Sequence, residues 1–363
     1  MTPDAERAGV ARDFDVVLVL SGGNALGAFE AGVYEALHEH DLQPDWIIGA
    51  SIGAINGALI AGSAPDRRIE TLRTFWRPAP SYAVTPPWLS ALETSRRTSA
   101  VGWAAMLGRP GIFGPMLSAF MPWSDNQPSI FETNQLATTL ETLVDFERLN
   151  AGPCRYTATA VDLETGDDVV FDSATTQIRP DHVRASAALP VAFPPVAIDG
   201  RWLVDGGLSA NLPLDPVLGD PPPRATLCIA VDLLPLNGAK PETVGEAASR
   251  MQDLIFAAQS RRSIDRWKAA YTGREDITLS LVRLAYTEQG EEVAGKALDF
   301  SGPTIERRWS AGYRAGMLAV RGVQTDAMSI GVPGLNVIDS ICGTIQMPCS
   351  IKRTGQCFEA NHC

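Results

Sequence analysis

Histidine is scarce in this chain, with only four residues in 363: His38, His40, His182 and His362. A serine hydrolase that relies on a histidine base therefore has little to draw on. Cysteine is almost as sparse, six in all, so the chain is no disulfide scaffold. Cys154 and Cys228 lie in apolar stretches and read as core residues. Cys342, Cys349, Cys357 and Cys363 fall near the end, but their spacing fits no paired metal-binding pattern, and no metal is expected. No run of eighteen apolar residues occurs, so no membrane-spanning helix is expected. The first 13 residues are charged and lack the apolar stretch of a secretory signal. Cations are outnumbered, 30 Lys and Arg against 42 Asp and Glu, for a net charge of −12. That balance argues against a nucleic-acid partner. It leaves open contact with a membrane through an apolar face.

What is present is a folded chain, 45% apolar and 20% charged. Val16 to Leu20 is an unbroken run of Val and Leu, the pattern of a strand buried on both faces. A glycine turn, Ser21 to Gly32, leads into helical periodicity through Leu26, Phe29, Val33 and Leu37. "WIIG" from Trp46 predicts a second strand, and the small-residue run after it a tightly packed helix. Strand–turn–helix repeats of this kind predict an α/β fold. Asp66 to Trp76 and Trp88 to Leu107 read as helices. Residues 77–128 form a proline-punctuated, apolar, helical insertion, either a lipid-facing cap or a peripheral layer. Residues 129–149 read as one helix, and Cys154 to Ser173 as a hairpin turning at Thr165–Gly166–Asp167. Further strands are expected at "RWLVD", "ATLCIAVDLL" and "DITLSLVRL", with helices over 243–270 and Thr304–Val320. From Gly322 the composition changes and no periodicity remains.

The chemistry centres on Gly49-Ala50-Ser51-Ile52-Gly53. This is a G-x-S-x-G elbow between a strand and a helix, the context such a nucleophile requires. Gly49 and Gly53 let the chain bend sharply around the serine. A base is harder to find. His38 and His40 end a helix, where a basic group meets free carbonyls. His182 precedes a short helix as a surface or capping residue, and His362 sits in the terminal segment. Asp205, in Leu203-Val204-Asp205-Gly206-Gly207, is the better candidate. It ends an apolar strand, and the glycines after it bare its carboxylate to a cleft. The plainer reading is an Asp that only organises the Gly-Gly turn. Gly22, Gly23 and Asn24 form a loop whose successive N–H groups suit an oxyanion. Gly22, Asn24 and Gly27 also approximate a dinucleotide-binding G-x-G-x-x-G, but the middle glycine is absent.

Three blocks, "SGGNALG", "GASIG" and "DGG", with "RASAALPVAFPPV" between the last two, resemble the patatin-like phospholipase family. The resemblance covers residues 14–216. It implies a three-layer α/β/α fold with a mainly parallel sheet, and a lipid acyl hydrolase working through a Ser–Asp dyad. Ser51 would be the nucleophile, Asp205 the base, and Gly22, Gly23 and Asn24 the oxyanion hole. The strings "ALGAFEAGVYEAL" and "DFSGPTIERRWSAGYRAG" resemble a bacterial subgroup with a C-terminal extension, here 217–320. The terminal 321–363 then reads as an irregular tail. The usual block is Gly-Gly-Gly-x-Arg/Lys-Gly; this chain has Asn24 for the third glycine and Leu26 for the cation. Asn tolerates left-handed backbone better than other residues with a side chain, which preserves the turn.

The expected activity is hydrolysis of lipid carboxylic esters, phospholipase A- or lysophospholipase-like, without a cofactor. An acyltransferase with the same nucleophile and an inactive lipid-binding protein stand as alternatives. The expected setting is the cytoplasm, with peripheral membrane contact. Oligomeric state, head group and ester position are not legible.

Overall fold

The computed structural model describes residues 12–78, 93–115, 129–290, 292–341 and 344–346. Its backbone is a mostly parallel sheet wrapped by helices. The strands are β1 (Asp15–Leu20), β2 (Trp46–Gly49), β5 (Arg155–Asp162), β6 (Asp168–Asp172), β7 (Val196–Ile198), β8 (Arg201–Asp205), β9 (Thr226–Asp232), β10 (Thr278–Ala285), β11 (Gly334–Ile341) and β12 (Thr344–Gln346). A separate pair, β3 (Gly114–Pro115) and β4 (Phe131–Glu132), lies outside this sheet.

The sheet runs β12-β11-β10-β9-β1-β2-β5-β8-β7, with β6 on β5. From β11 to β5 all neighbours are parallel. β12, β6, β8 and β7 are antiparallel additions. β1 sits centrally, and all but the first of its residues are buried, as its unbroken apolar run requires. The chain leaves β1 towards β2 and returns on the other side of β1 with β9. The carboxyl end of β1 is therefore a topological switch point, where α/β sheets leave a crevice.

Helices cover both faces. On one, Leu18, Leu20 and Ile47 pack with α1 (Ala28–Glu39), α2 (Ile52–Ala61), α3 (Arg68–Phe75) and α11 (Gly302–Gln324). On the other, Val17, Val19, Cys228 and Ala230 pack with α9 (Asp215–Gly219) and the second half of α10 (Val244–Ala270). This is the three-layer α/β/α arrangement expected. α1 and α11 cross unusually closely. A Cβ on Gly312 would stand 1.9 Å from the Phe29 carbonyl oxygen, and one on Gly32 1.9 Å from that of Trp309. Only backbone without side chains fits there.

Several local expectations change. Residues 129–149 are not one helix. They hold β4, then α5 (Asn134–Leu143), then α6 (Phe146–Ala151). Val144 is extended, and Asp145 restarts the helix by accepting the Glu147 and Arg148 N–H groups at 3.0 Å. The segment after Gly322 is not wholly irregular, because β11 joins β10 in parallel register. Of the 77–128 insertion, α4 (Glu93–Leu107) is described, and the rest of its expected apolar helical stretch lies largely outside the described residues. Residues 217–320 do more than pack on the core, since β9 and β10 belong to the sheet itself. Among the described residues no helix is long and apolar enough to cross a membrane.

Candidate active site

Ser51 stands between β2 and α2 with φ 55° and ψ −123°. A residue with a side chain reaches this region only where the surroundings hold it there, at a cost of roughly 1–3 kcal/mol. The holding groups are visible. The Ser51 N–H donates to the Ser186 carbonyl at 3.0 Å and to the Ser186 hydroxyl at 3.1 Å. Gly49 and Gly53 allow the elbow as expected: a Cβ on Gly53 would lie 2.3 Å from the Leu20 carbonyl oxygen, and one on Gly49 2.4 Å from the Ala54 nitrogen. The glycine spacing thus reflects backbone crowding on both sides of the serine.

Asp205 ends β8 and is only 3% exposed. Its Oδ1 accepts the Gly207 N–H at 2.7 Å, and its own N–H donates to the Ala188 carbonyl at 3.1 Å. Burial pushes its pKa from 3.8 up to about 6, and hydrogen bonds from the Ser51 side chain and the Gly207 N–H pull against that rise. Ser51 and Asp205, 154 residues apart in sequence, are thus brought together.

The loop after β1 approaches the same point. Asn24 has φ 52°, the left-handed conformation for which Asn is suited. Gly22 departs from expectation as an oxyanion donor. Its N–H is taken by the Asn211 carbonyl at 3.0 Å. Among the described residues the Gly23 and Asn24 N–H groups carry no hydrogen bond, nor does that of Ile52 in the first turn of α2. Gly23, Asn24 and Ile52 line the same cavity as Ser51.

Sequence reasoning missed the residues that hold this loop. Asn211 clasps Gly22 from both ends, since its Nδ2 also donates to the Gly22 carbonyl at 3.1 Å. It lies six residues beyond Asp205, directly after the short helix α8 (Gly207–Ala210). Gln259 of α10 accepts the Asn211 N–H at 3.1 Å. Asn56 of α2 donates to the Gly27 carbonyl at 3.0 Å and to Glu30 at 2.9 Å. Burial raises the Glu30 pKa well above the usual range, against the Asn56 hydrogen bond. Leu26, in place of the expected cation, is fully buried. A cation nevertheless reaches this loop from elsewhere: Arg308 of α11 donates to the Ala25 carbonyl at 3.0 Å. Arg308 also pairs with Glu292 at 2.7 Å. Burial would raise the Glu292 pKa, but Arg308 and Arg97 outweigh it and hold the carboxyl down to about 2. Arg97 of α4 joins the network through Glu292 and through Asp299 at 2.9 Å.

A cavity of about 360 Å³ opens over the pair. Its polar floor is Gly22 to Asn24, Ser51, Asp205 and Asn211, and its walls are apolar, including Ile55, Phe131, Leu136, Phe193, Phe256 and Leu298. Such a space suits an acyl chain with its carbonyl at the floor. No histidine lines it among the described residues. His38 is in the last turn of α1, its Nδ1 2.9 Å from Gln43 Nε2; His40 is the residue after that helix. His182 lies inside a helix, α7 (Pro180–Ser186), rather than before it, and is buried there, where its Nδ1 accepts the Arg179 N–H at 3.1 Å as a cap. His362 and the four late cysteines lie outside the described residues.

The model of the patatin-like phospholipase family matches residues 18–218, more than half the chain. The protein belongs to the patatin-like phospholipase family. A second model, described as patatin phospholipase, matches residues 242–327, which contain α10 and α11. An NTE family protein of Mycobacterium bovis is 27% identical over 257 residues, covering 69% of this chain and 59% of that protein. A lysophospholipase of Aspergillus terreus is 28% identical over 282 residues, covering 77% of this chain and 15% of that protein. The chain thus spans less than two thirds of these relatives' own lengths, 59% and 15%. Among solved structures, VipD from Legionella pneumophila aligns over 86% of this chain and 67% of its own, at 15% identity and a TM-score of 0.42. The type III effector ExoU aligns over 85% and 53%, at 16% identity and a TM-score of 0.36.

Proposed function

We propose that this protein hydrolyses carboxylic esters of lipids, with Ser51 as nucleophile and Asp205 as base. The observation that carries the reading is the placement of the strained Ser51 and the buried Asp205 on the floor of one apolar cavity. As Ser51 Oγ bonds to the ester carbonyl carbon, its proton passes to Asp205. The carbonyl oxygen takes the negative charge and is met by the Gly23 and Asn24 N–H groups, with Ile52 available as a third donor. Asp205 then gives its proton to the departing alcohol or lysolipid oxygen as the C–O bond breaks. Water repeats the sequence on the acyl-enzyme. It gives up its proton to Asp205 and releases the acid, and the proton returns to Ser51.

A carboxylate with a pKa near 6 suits this task better than an ordinary one, because it is ionised at neutral pH yet more basic. The relatives named lysophospholipase and NTE family protein support a lipid ester as substrate. Transfer to an alcohol other than water uses the same first half, and product analysis with a competing acceptor separates the two. We place the enzyme on the aqueous side of a membrane surface, in peripheral contact with it.

The test is intact-mass analysis after treatment with a fluorophosphonate. Wild type should gain one adduct, Ser51→Ala none, and Asp205→Asn should label slowly. Full labelling of folded Ser51→Ala would refute the assignment.

A further inference from the structure

Helix α10 divides into two halves with different surroundings. The second half packs on the sheet through Ile264, Trp267 and Tyr271, the residue that follows the helix. The first half buries only Asp253 and Ala257. Its outward stripe is apolar and exposed, with Val244 88%, Met251 59%, Leu254 45% and Ile255 51% accessible. These positions recur at helical spacing, so they form one face rather than scattered contacts. Isolated exposed apolar residues need no explanation, but a continuous stripe does.

The same face continues about two turns further and changes character. Arg261 and Arg262 follow the stripe, are exposed, and make no ion pair among the described residues. From Met251 to Arg262 the distance along the axis is about 16 Å. The helix is thus apolar at one end and cationic at the other, on a chain whose net charge is −12. Overall charge does not account for a positive end there.

The apolar end is continuous with the active-site cavity. Gln252 and Phe256, on the same turns as Met251 and Ile255, line the cavity wall. Ile130 and Val191, both exposed, line it as well.

We propose that the outward face of α10 docks on a bilayer carrying anionic head groups. Met251, Leu254 and Ile255 enter the acyl region beside the cavity mouth, and Arg261 and Arg262 meet phosphate at the head-group level. Docking then sets the cavity against the bilayer, so that an acyl chain passes into it without crossing water. The inference rests on the lipid-ester reading of the cavity. It places a membrane contact on α10, in the C-terminal part of the chain.

Co-sedimentation with vesicles tests it, using full-length Ser51→Ala protein so that the lipid is not consumed. Vesicles are phosphatidylcholine alone or an equal mixture with phosphatidylglycerol. The protein should sediment with the mixture, and salt should weaken that binding. Arg261→Gln with Arg262→Gln should reduce binding to the mixture by about 30-fold, from the contribution of each cation near an anionic surface. Met251→Ser with Ile255→Ser should reduce it by at least about tenfold, from lost apolar burial. The same pairs made with Ser51 intact should turn over a monomeric short-chain ester at the wild-type rate. Protein that stays in the supernatant with both vesicles would overturn the proposal. So would a concentration-dependent dimer in sedimentation velocity that Met251→Ser with Ile255→Ser dissolves, since a second copy would then cover the stripe. Absence of monomeric-ester turnover in wild type would instead strike the active-site reading, which vesicle binding by the Ser51→Ala protein does not depend on.

Discussion

Replacing Asp205 with Asn should remove activity and, above neutral pH, make the protein harder to unfold. Asp205 is buried, and its pKa stands at about 6 rather than 3.8. At about 1.4 kcal/mol per pH unit, holding the ionised form in that place costs about 3 kcal/mol. The sign follows from proton binding. Between pH 3.8 and about 6 the native state keeps a proton that the unfolded chain has lost, so stability falls as pH rises. Below that window the cost is absent, and above it the cost is complete. Asn is neutral throughout and can still accept the Gly207 N–H, though its amide presents a donor to Ser51. A gain of about 1–3 kcal/mol at pH 8 is expected, with about half of it in place at pH 5. Urea unfolding of both proteins at several pH values measures it. A difference that is constant with pH, or an Asn variant less stable at pH 8, would refute the idea that the ionised carboxylate is held at a cost.

Other expectations follow from the same geometry. Hydrolysis of a monomeric ester should fall about tenfold per pH unit below about pH 6 as Asp205 takes up its proton, and a flat profile to pH 4.5 would exclude it as base. Ser51→Gly should be more stable than Ser51→Ala by about 1 kcal/mol, because glycine occupies φ 55° and ψ −123° without strain, as thermal or urea melts can show. Arg308→Gln should cost about 3–5 kcal/mol by leaving Glu292 and the Ala25 carbonyl short of a buried partner, read from the urea midpoint.

Much of this was legible in the sequence because the central features are local. β1 is an unbroken apolar run, and the serine elbow and Asp205 turn are each written in five residues. The break in 129–149 was also local but fainter: Asp145 acts as a cap inside what reads as helical periodicity. β11 escaped because Asn336, Asp339 and Ser340 interrupt its apolar pattern, and its pairing with β10 supplies what composition does not. Partnerships across long separations were out of reach. Nothing near Ser186 says that it holds the Ser51 amide, and nothing near Arg308 says that it meets Ala25, 283 residues earlier. Gly22 was misread for a related reason. A glycine loop shows that N–H groups are available to turn inward, but not that Asn211 already occupies one of them.

The position of β9 bears on how this protein can be divided or inherited. The first family match ends at residue 218, yet β9 begins at Thr226 and lies hydrogen-bonded along the whole of β1. A fragment stopping where that match stops would turn a central, buried strand into a raw edge, open to pairing with any other chain. It would also lose α11, whose backbone fits into α1 at Gly312. Strand β9, between the two matched stretches, and α11, inside the second, thus complete the sheet and the helix layer of the first, and recombination that separated them would leave it with an open sheet edge.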